Sequence, residues 1–224
     1  MNKYFGLAAV AAFALALAPA ADANWSENFD SYSVGGLRGH GGWDTWDGDP
    51  STDAFVVTGF NRSAPHSVQI TPTTDILHPF SETTGVWTIT GWQYIPSSAS
   101  GKQYFILLNT YNHGGPYDWS LQVEFNSTPR QFRILSPGTY VGNIIYDQWV
   151  EVKNIFDLTT GMQSFYYNGS FCELIPWQIS GVNEFAALDL FSDGGSEIYW
   201  DDFTLQLTGD LATTTWGQIK ASLF

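Results

Sequence analysis

The sequence predicts an all-β protein, a two-sheet antiparallel sandwich, and three features carry that reading. Short runs rich in Val, Ile, Thr and aromatic residues follow one another after residue 50, separated by clusters of Gly, Pro, Asn and Ser. No amphipathic helix of ordinary length interrupts them before the C-terminal tail. Aromatic side chains make up 17% of the chain and include 10 Trp, enough large buried area to stabilise a sandwich core, so many of them are packing.

Taken in order, the chain opens with Lys3, an apolar run over 5–17 and then Ala21-Asp22-Ala23, the layout of a secretory signal peptide cleaved after Ala23. Residues 1–23 would be removed and the mature chain would start at Asn24. The run is too short to cross a bilayer as a helix, and no later segment is long and apolar enough to do so. The expected location is extracellular or at the cell surface. The stretch 24–208 suits one large sandwich domain better than two small ones.

Strand segments are predicted at 67–70, 86–95, 103–110, 149–156, 164–167, 186–191 and 198–207. The segments at 86–95 and 103–110 are apolar on both faces. They belong at the centre of a sheet covered on both sides, or else line an aromatic groove. The clearest alternation is Trp119-Ser120-Leu121-Gln122-Val123-Glu124-Phe125. Period two puts Trp119, Leu121, Val123 and Phe125 on an apolar face and Ser120, Gln122 and Glu124 on a polar one. After the turn at 126–129, Gln131 and Arg133 continue the polar face, which makes Glu124 and Arg133 neighbours in a hairpin. In the tail, 209–224, Trp216, Ile219 and Leu223 recur at helical spacing after a run of Thr that offers a cap. A short docking helix and an unordered terminus both remain open readings of it.

Charge narrows the partners. A formal charge of -14 with only 8 Lys and Arg excludes nucleic acid and anionic membrane surfaces, which need basic patches. It suits extracellular solubility, cation binding and a neutral polysaccharide. The single cysteine, Cys172, rules out an intrachain disulfide and reads as a buried inert thiol.

Three segments together resemble the concanavalin A-like lectin/glucanase superfamily, in the LamG-like jelly-roll branch of secreted bacterial proteins. They are Glu27-Asn28-Phe29-Asp30-Ser31-Tyr32 followed by Gly41-Gly42-Trp43; Trp149-Val150-Glu151-Val152 leading through Asp157 and Gly161 to Tyr167-Asn168-Gly169; and Leu188-Asp189-Leu190-Phe191 with Tyr199-Trp200-Asp201-Asp202-Phe203. The resemblance implies a jelly roll whose first and last strands pair. It also implies a structural calcium where they meet, with Glu27, Asp30 and Asp201 as ligands and Asp189 with Asp193 as the fallback. Calcium takes six to eight oxygens, and the acidic residues near both edges agree in kind.

No catalytic set stands out. The laminarinase-type hydrolases of the superfamily carry E-x-D-x-x-E on one strand, and no such run occurs here. Glu124 faces Arg133 and reads as an ion pair. The four histidines fall in loop-like contexts, with His113 in the glycine-bearing loop 111–115 the first to test. Two readings survive. One is a non-catalytic carbohydrate-binding protein, with Trp92, Tyr94, Tyr111, His113, Trp119 and Gln122 as stacking and hydrogen-bonding candidates for a glycan, although the alternation places Trp119 in the core. The other is a structural or adhesive surface protein that self-associates through its surface and tail.

Overall fold

The computed structural model describes residues 24–135 and 137–208; the expected signal peptide (1–23) and the tail (209–224) lie outside the described residues. The first half holds strands β1 (Trp25–Glu27), β2 (Gly35–Gly36), β3 (Asp44–Thr45), β4 (Phe55–Val57), β5 (Ser67–Ile70), β6 (Asp75–Glu82), β7 (Val86–Tyr94) and β8 (Lys102–Tyr111). The second half holds β9 (Tyr117–Asn126), β10 (Gln131–Ile134), β11 (Val141–Asn143), β12 (Trp149–Asp157), β13 (Met162–Tyr167), β14 (Ser170–Pro176), β15 (Phe185–Asp193) and β16 (Ile198–Thr208). Two short 3-10 turns, Trp46–Gly48 and Pro50–Thr52, follow β3.

The strands form two antiparallel sheets packed as a jelly-roll sandwich. A nine-stranded sheet runs β14-β13-β12-β7-β16-β5-β4-β2, with β1 also on β16, and a seven-stranded sheet runs β11-β10-β9-β8-β15-β6-β3. The first and last strands pair, Glu27 opposite Phe203. The ring of Phe29 just beyond β1 meets that of Phe203 edge-on at 6.2 Å.

Period-two alternation builds the core. Trp87 and Ile89 of β7, Val150, Val152 and Phe156 of β12, and Trp200, Phe203 and Leu205 of β16 point inward from the larger sheet. Phe105 and Leu107 of β8, Leu121, Val123 and Phe125 of β9, and Leu188 and Leu190 of β15 meet them from the smaller one. Gly91 lies under the Phe203 ring, where a Cβ would stand 2.3 Å from it. One polar tie crosses this core. Gln163 of β13 accepts from Asn154 Nδ2 (2.8 Å) and donates to the Ser120 carbonyl of β9 (2.7 Å) and the Pro176 carbonyl (2.9 Å).

That tie coincides with a break in the ladder. Between β8 and β9 the register passes from Leu107 opposite Leu121 to Leu108 opposite Trp119, so Ser120 is an extra residue. A bulge turns the side chains beyond it to the opposite face. Trp119 therefore leaves the apolar face predicted for it and stands outward, 41% exposed, while Leu121 stays in the core. Arg133 does sit opposite Glu124, as the hairpin pattern requires.

Cys172 lies in β14 and is only half-buried, though burial still pushes its thiol up. His78 is not in a loop. It sits in β6, nearly covered, with Nε2 3.0 Å from the Gly41 carbonyl oxygen, and burial pushes its imidazole down.

Candidate functional site

The outer face of the seven-stranded sheet carries an aromatic-walled cleft. β8 turns Tyr104, Ile106 and Leu108 outward, and β15 adds Ala187 and Phe191, so an apolar floor forms on the side away from the core. Trp46, in the turn after the edge strand β3, folds over this floor. It packs on Tyr111 (5.1 Å, near perpendicular) and Tyr117 (4.6 Å), and its plane lies 5° from that of Trp119 with centroids 6.4 Å apart. A cleft of about 210 Å³ results, lined by Trp46, Asp75, Ile106, Trp119, Gln122, Asp189 and Phe191.

Asp47 holds Trp46 in place. Its backbone is left-handed (φ 52°), and its carboxylate accepts from the Gly114 amide (2.7 Å) and the Tyr117 hydroxyl (2.5 Å). Its own amide donates to the Tyr111 hydroxyl (3.1 Å). The bond from Tyr117, then that from Gly114, holds the Asp47 carboxyl below the usual range. Burial pushes the Tyr111 hydroxyl up to about 12. The loop 112–116 and the turn after β3 are thus fastened to each other at one end of the cleft.

The cleft floor holds two acids. Asp75 on β6 lies opposite Phe191 on β15, and Asp189 lies opposite Leu77, so the two carboxyls are diagonal neighbours on one face. Each carboxyl bears on the other's titration, and burial disfavours two negative charges side by side. Burial pushes Asp75 up to about 6, and burial together with the Asp75 charge pushes Asp189 well above the carboxylate range. Asp75 Oδ1 and Asp189 Oδ1 are buried without a hydrogen-bond partner.

Next to this pair, Glu124 is buried and fully engaged. Tyr104 donates to it (2.9 Å), Arg133 Nε lies 2.9 Å away and Lys102 Nζ 3.3 Å away. Burial works to raise the Glu124 carboxyl, but the bonds from Arg133, Tyr104 and Lys102 outweigh it and hold the group below the usual range.

Of the residues singled out in the sequence, Tyr111, Trp119 and Gln122 meet at this cleft or its rim. His113 stands at the same rim, its Nε2 3.6 Å from Asp44 Oδ2, beside a second hollow of about 370 Å³ that Tyr111 also lines. Trp92 and Tyr94 do not join them. They point outward from the other sheet, where the Arg62 guanidinium lies 3.8 Å over the Trp92 ring and Tyr94 packs with Phe60, Trp149 and Tyr199.

The sequence reading missed Trp46, Asp75, Ile106 and Phe191 as lining residues, and it named Asp189 only as a fallback metal ligand with Asp193. The Trp-Asp-Gly turn 46–48 was a readable signal for a special loop. Nothing local marks Asp75, whose partner is 114 residues away, a difference between positions 75 and 189.

The carboxylates expected to hold calcium have other occupations. Glu27 accepts from the Phe29 amide (2.7 Å) and the Tyr32 hydroxyl (2.5 Å), fixing the turn in which Phe29 is left-handed. Asp30 accepts from Asn28 and from the His66 amide. Asp201 is fully buried and accepts from the amides of Arg62, Ser63 and Asp202 at 2.7, 3.0 and 2.8 Å. Burial lifts it to about 6 despite these bonds. A bulge between Asp201 and Thr204 lets Asp202 reach the same loop through Arg62 and Ser63. Among the described residues no three or more His, Cys, Asp or Glu converge on a metal position.

No family model and no curated protein matches the chain. Solved structures do. A sialidase matches with a TM-score of 0.57 at 11% identity over 84% of this chain and 19% of that one, so the chain spans about a fifth of its length. The endo-beta-1,4-glucuronan lyase of the fungus Trichoderma reesei matches with a TM-score of 0.55 at 7% identity over 84% of this chain and 96% of that one. A mutant Trypanosoma rangeli sialidase with trans-sialidase activity reaches 0.51 at 11% identity over 69% of this chain and 27% of that one. The likeness is one of fold.

Proposed function

We propose that this protein is a secreted, non-catalytic carbohydrate-binding jelly roll of the concanavalin A-like kind, and that the Trp46–Trp119 cleft is its glycan site. The observation that carries the reading is the bulge at Ser120, which takes a tryptophan out of the core and stands it, half-exposed, parallel to Trp46 beside Gln122. An exposed indole gains nothing for folding by this placement. A sugar ring can stack on such a face, and an amide beside it can bond the hydroxyls. The fold likeness to a sialidase and a glucuronan lyase, whose names mark them as carbohydrate-active, supports the same class of ligand.

Screening the mature protein against a glycan array, followed by calorimetry with the best oligosaccharide, tests this. Wild type should bind, and Trp119→Ala and Trp46→Ala should weaken binding about tenfold or more, as for buried aromatic hot spots. No glycan bound, or binding indifferent to both substitutions, would return the protein to the structural and adhesive reading.

A further inference from the structure

We infer that the Asp75–Asp189 cleft selects sugar units carrying a cationic amine, such as a hexosamine with its amino group free, over neutral and anionic sugars; the inference rests on the glycan-binding reading of the same cleft. Three observations lead to it. Asp189 is 2% exposed, lines the cleft and keeps Oδ1 without a hydrogen-bond partner, and Asp75 does the same with its own Oδ1. None of the residues lining the cleft is basic. On the same face Lys102 and Arg133 are both paired to Glu124, and at the rim Arg38 is paired to Asp44.

A buried acid pair with no cation beside it must keep a proton or acquire a positive ligand. The walls decide which kind of ligand. Trp46 and Trp119 present indole faces, whose negative quadrupoles attract an ammonium group and offer no oxygen to a metal. The cleft's oxygen-bearing side chains are Asp75, Asp189 and Gln122, short of the six to eight oxygens calcium takes. A uronate or sialate would face a chain of charge -14 and two acids. A neutral sugar would leave the pair without its missing charge.

Of the charged groups around the pair, β3 brings Asp44, whose carboxylate holds Arg38 Nε at 2.6 Å and His113 Nε2 at 3.6 Å. From the turn after β3 comes Asp47, whose charge acts on Asp75; farther along β15 is Asp193; from β8 and β9 come Tyr104 and Glu124, the latter with its two bound cations. An arriving ammonium group favours the ionised pair, so affinity for a permanent cation rises with pH as the pair ionises.

The test compares glucosamine oligomers, their N-acetylated counterparts and N,N,N-trimethylated oligomers, whose charge does not titrate, by calorimetry on the full mature chain with chelator present. The free-amine and trimethylated oligomers should bind about tenfold or more tightly than the acetylated ones, a difference of about 1.4 kcal/mol. Affinity for the trimethylated ligand should rise between about pH 5 and about pH 7.5. The double variant Asp75→Asn/Asp189→Asn should lose the preference and keep the acetylated ligand, although most of the chain's negative charge remains, which separates the cleft from general attraction of a polycation. Equal binding of free and acetylated oligomers, with Trp119→Ala weakening both, overturns the amine selectivity and leaves the glycan site standing. Preference unchanged in the double variant, or binding that vanishes with chelator, overturns it too. No oligosaccharide bound by wild type overturns both readings.

Discussion

Replacing Asp75 with Asn should stabilise the protein at neutral pH and leave it unchanged in acid. In the folded chain burial raises the Asp75 carboxyl from 3.8 to about 6. A native state that holds its proton more tightly than the unfolded chain is at full strength below about pH 4, weakens as pH climbs towards about 6, and carries a constant deficit above that. The shift of roughly two units corresponds to about 3 kcal/mol. Water at the cleft mouth screens part of this, so about 1–3 kcal/mol is expected. Asparagine has nearly the same shape, carries no charge and can donate its amide to Asp189. For a domain of this size about 1 kcal/mol moves the melting temperature by about 2–4 °C. The variant should therefore melt about 2–12 °C above wild type at about pH 7.5, with the gap closing as pH falls to about 4. Thermal melts by calorimetry across that range measure it. A gap that does not depend on pH, or a variant that melts below wild type at neutral pH, would refute the assignment of a strained acid pair to this cleft.

Trp119→Ala and Trp200→Ala should separate binding from folding: the first lowers glycan affinity with the melting temperature nearly unchanged, whereas the second empties a fully buried position and costs about 3–5 kcal/mol, read by denaturant titration. Asp201→Ala strips the amides of Arg62 and Ser63 of their acceptor and should cost about 1–3 kcal/mol, read by denaturant titration, with a larger loss at low pH, where the native carboxyl holds its proton, than at neutral pH. A structural calcium near β1 and β16 predicts a lower melting midpoint in chelator than in calcium, and coinciding curves would remove the ion. Gln163→Leu leaves the Ser120 carbonyl and the Asn154 amide unpaired in the core and should cost about 2–4 kcal/mol; because Ser120 is the bulge residue, it should also weaken glycan binding, measured by calorimetry on the folded fraction.

The strands were legible where a single physical rule governs them. Runs of Val, Ile, Thr and aromatic residues bounded by turn-forming clusters mark 86–95, 149–156 and 198–207, and β7, β12 and β16 occupy those segments to within a few residues. β6 was not read as a strand. Pro79 and His78 interrupt its pattern, and its pairing with β15 across more than a hundred residues leaves no local mark. The cleft shared that fate, since Trp46, Asp75, Trp119 and Asp189 come from four separate elements.

The sequence by itself determined an acidic, aromatic-rich, all-β chain, because composition and short-range alternation are local properties of the residues; the pairing of its first and last strands was implied by the family resemblance alone. The tertiary structure decided which aromatics are core and which are surface. In a strand of strict period two, Trp119 belongs with Leu121; one inserted residue, held by Gln163 from the opposite sheet, reverses its face. Only packing brings Asp75 and Asp189 into one cleft and raises two ordinary carboxylates, because desolvation and charge repulsion arise from neighbours that the linear order does not show.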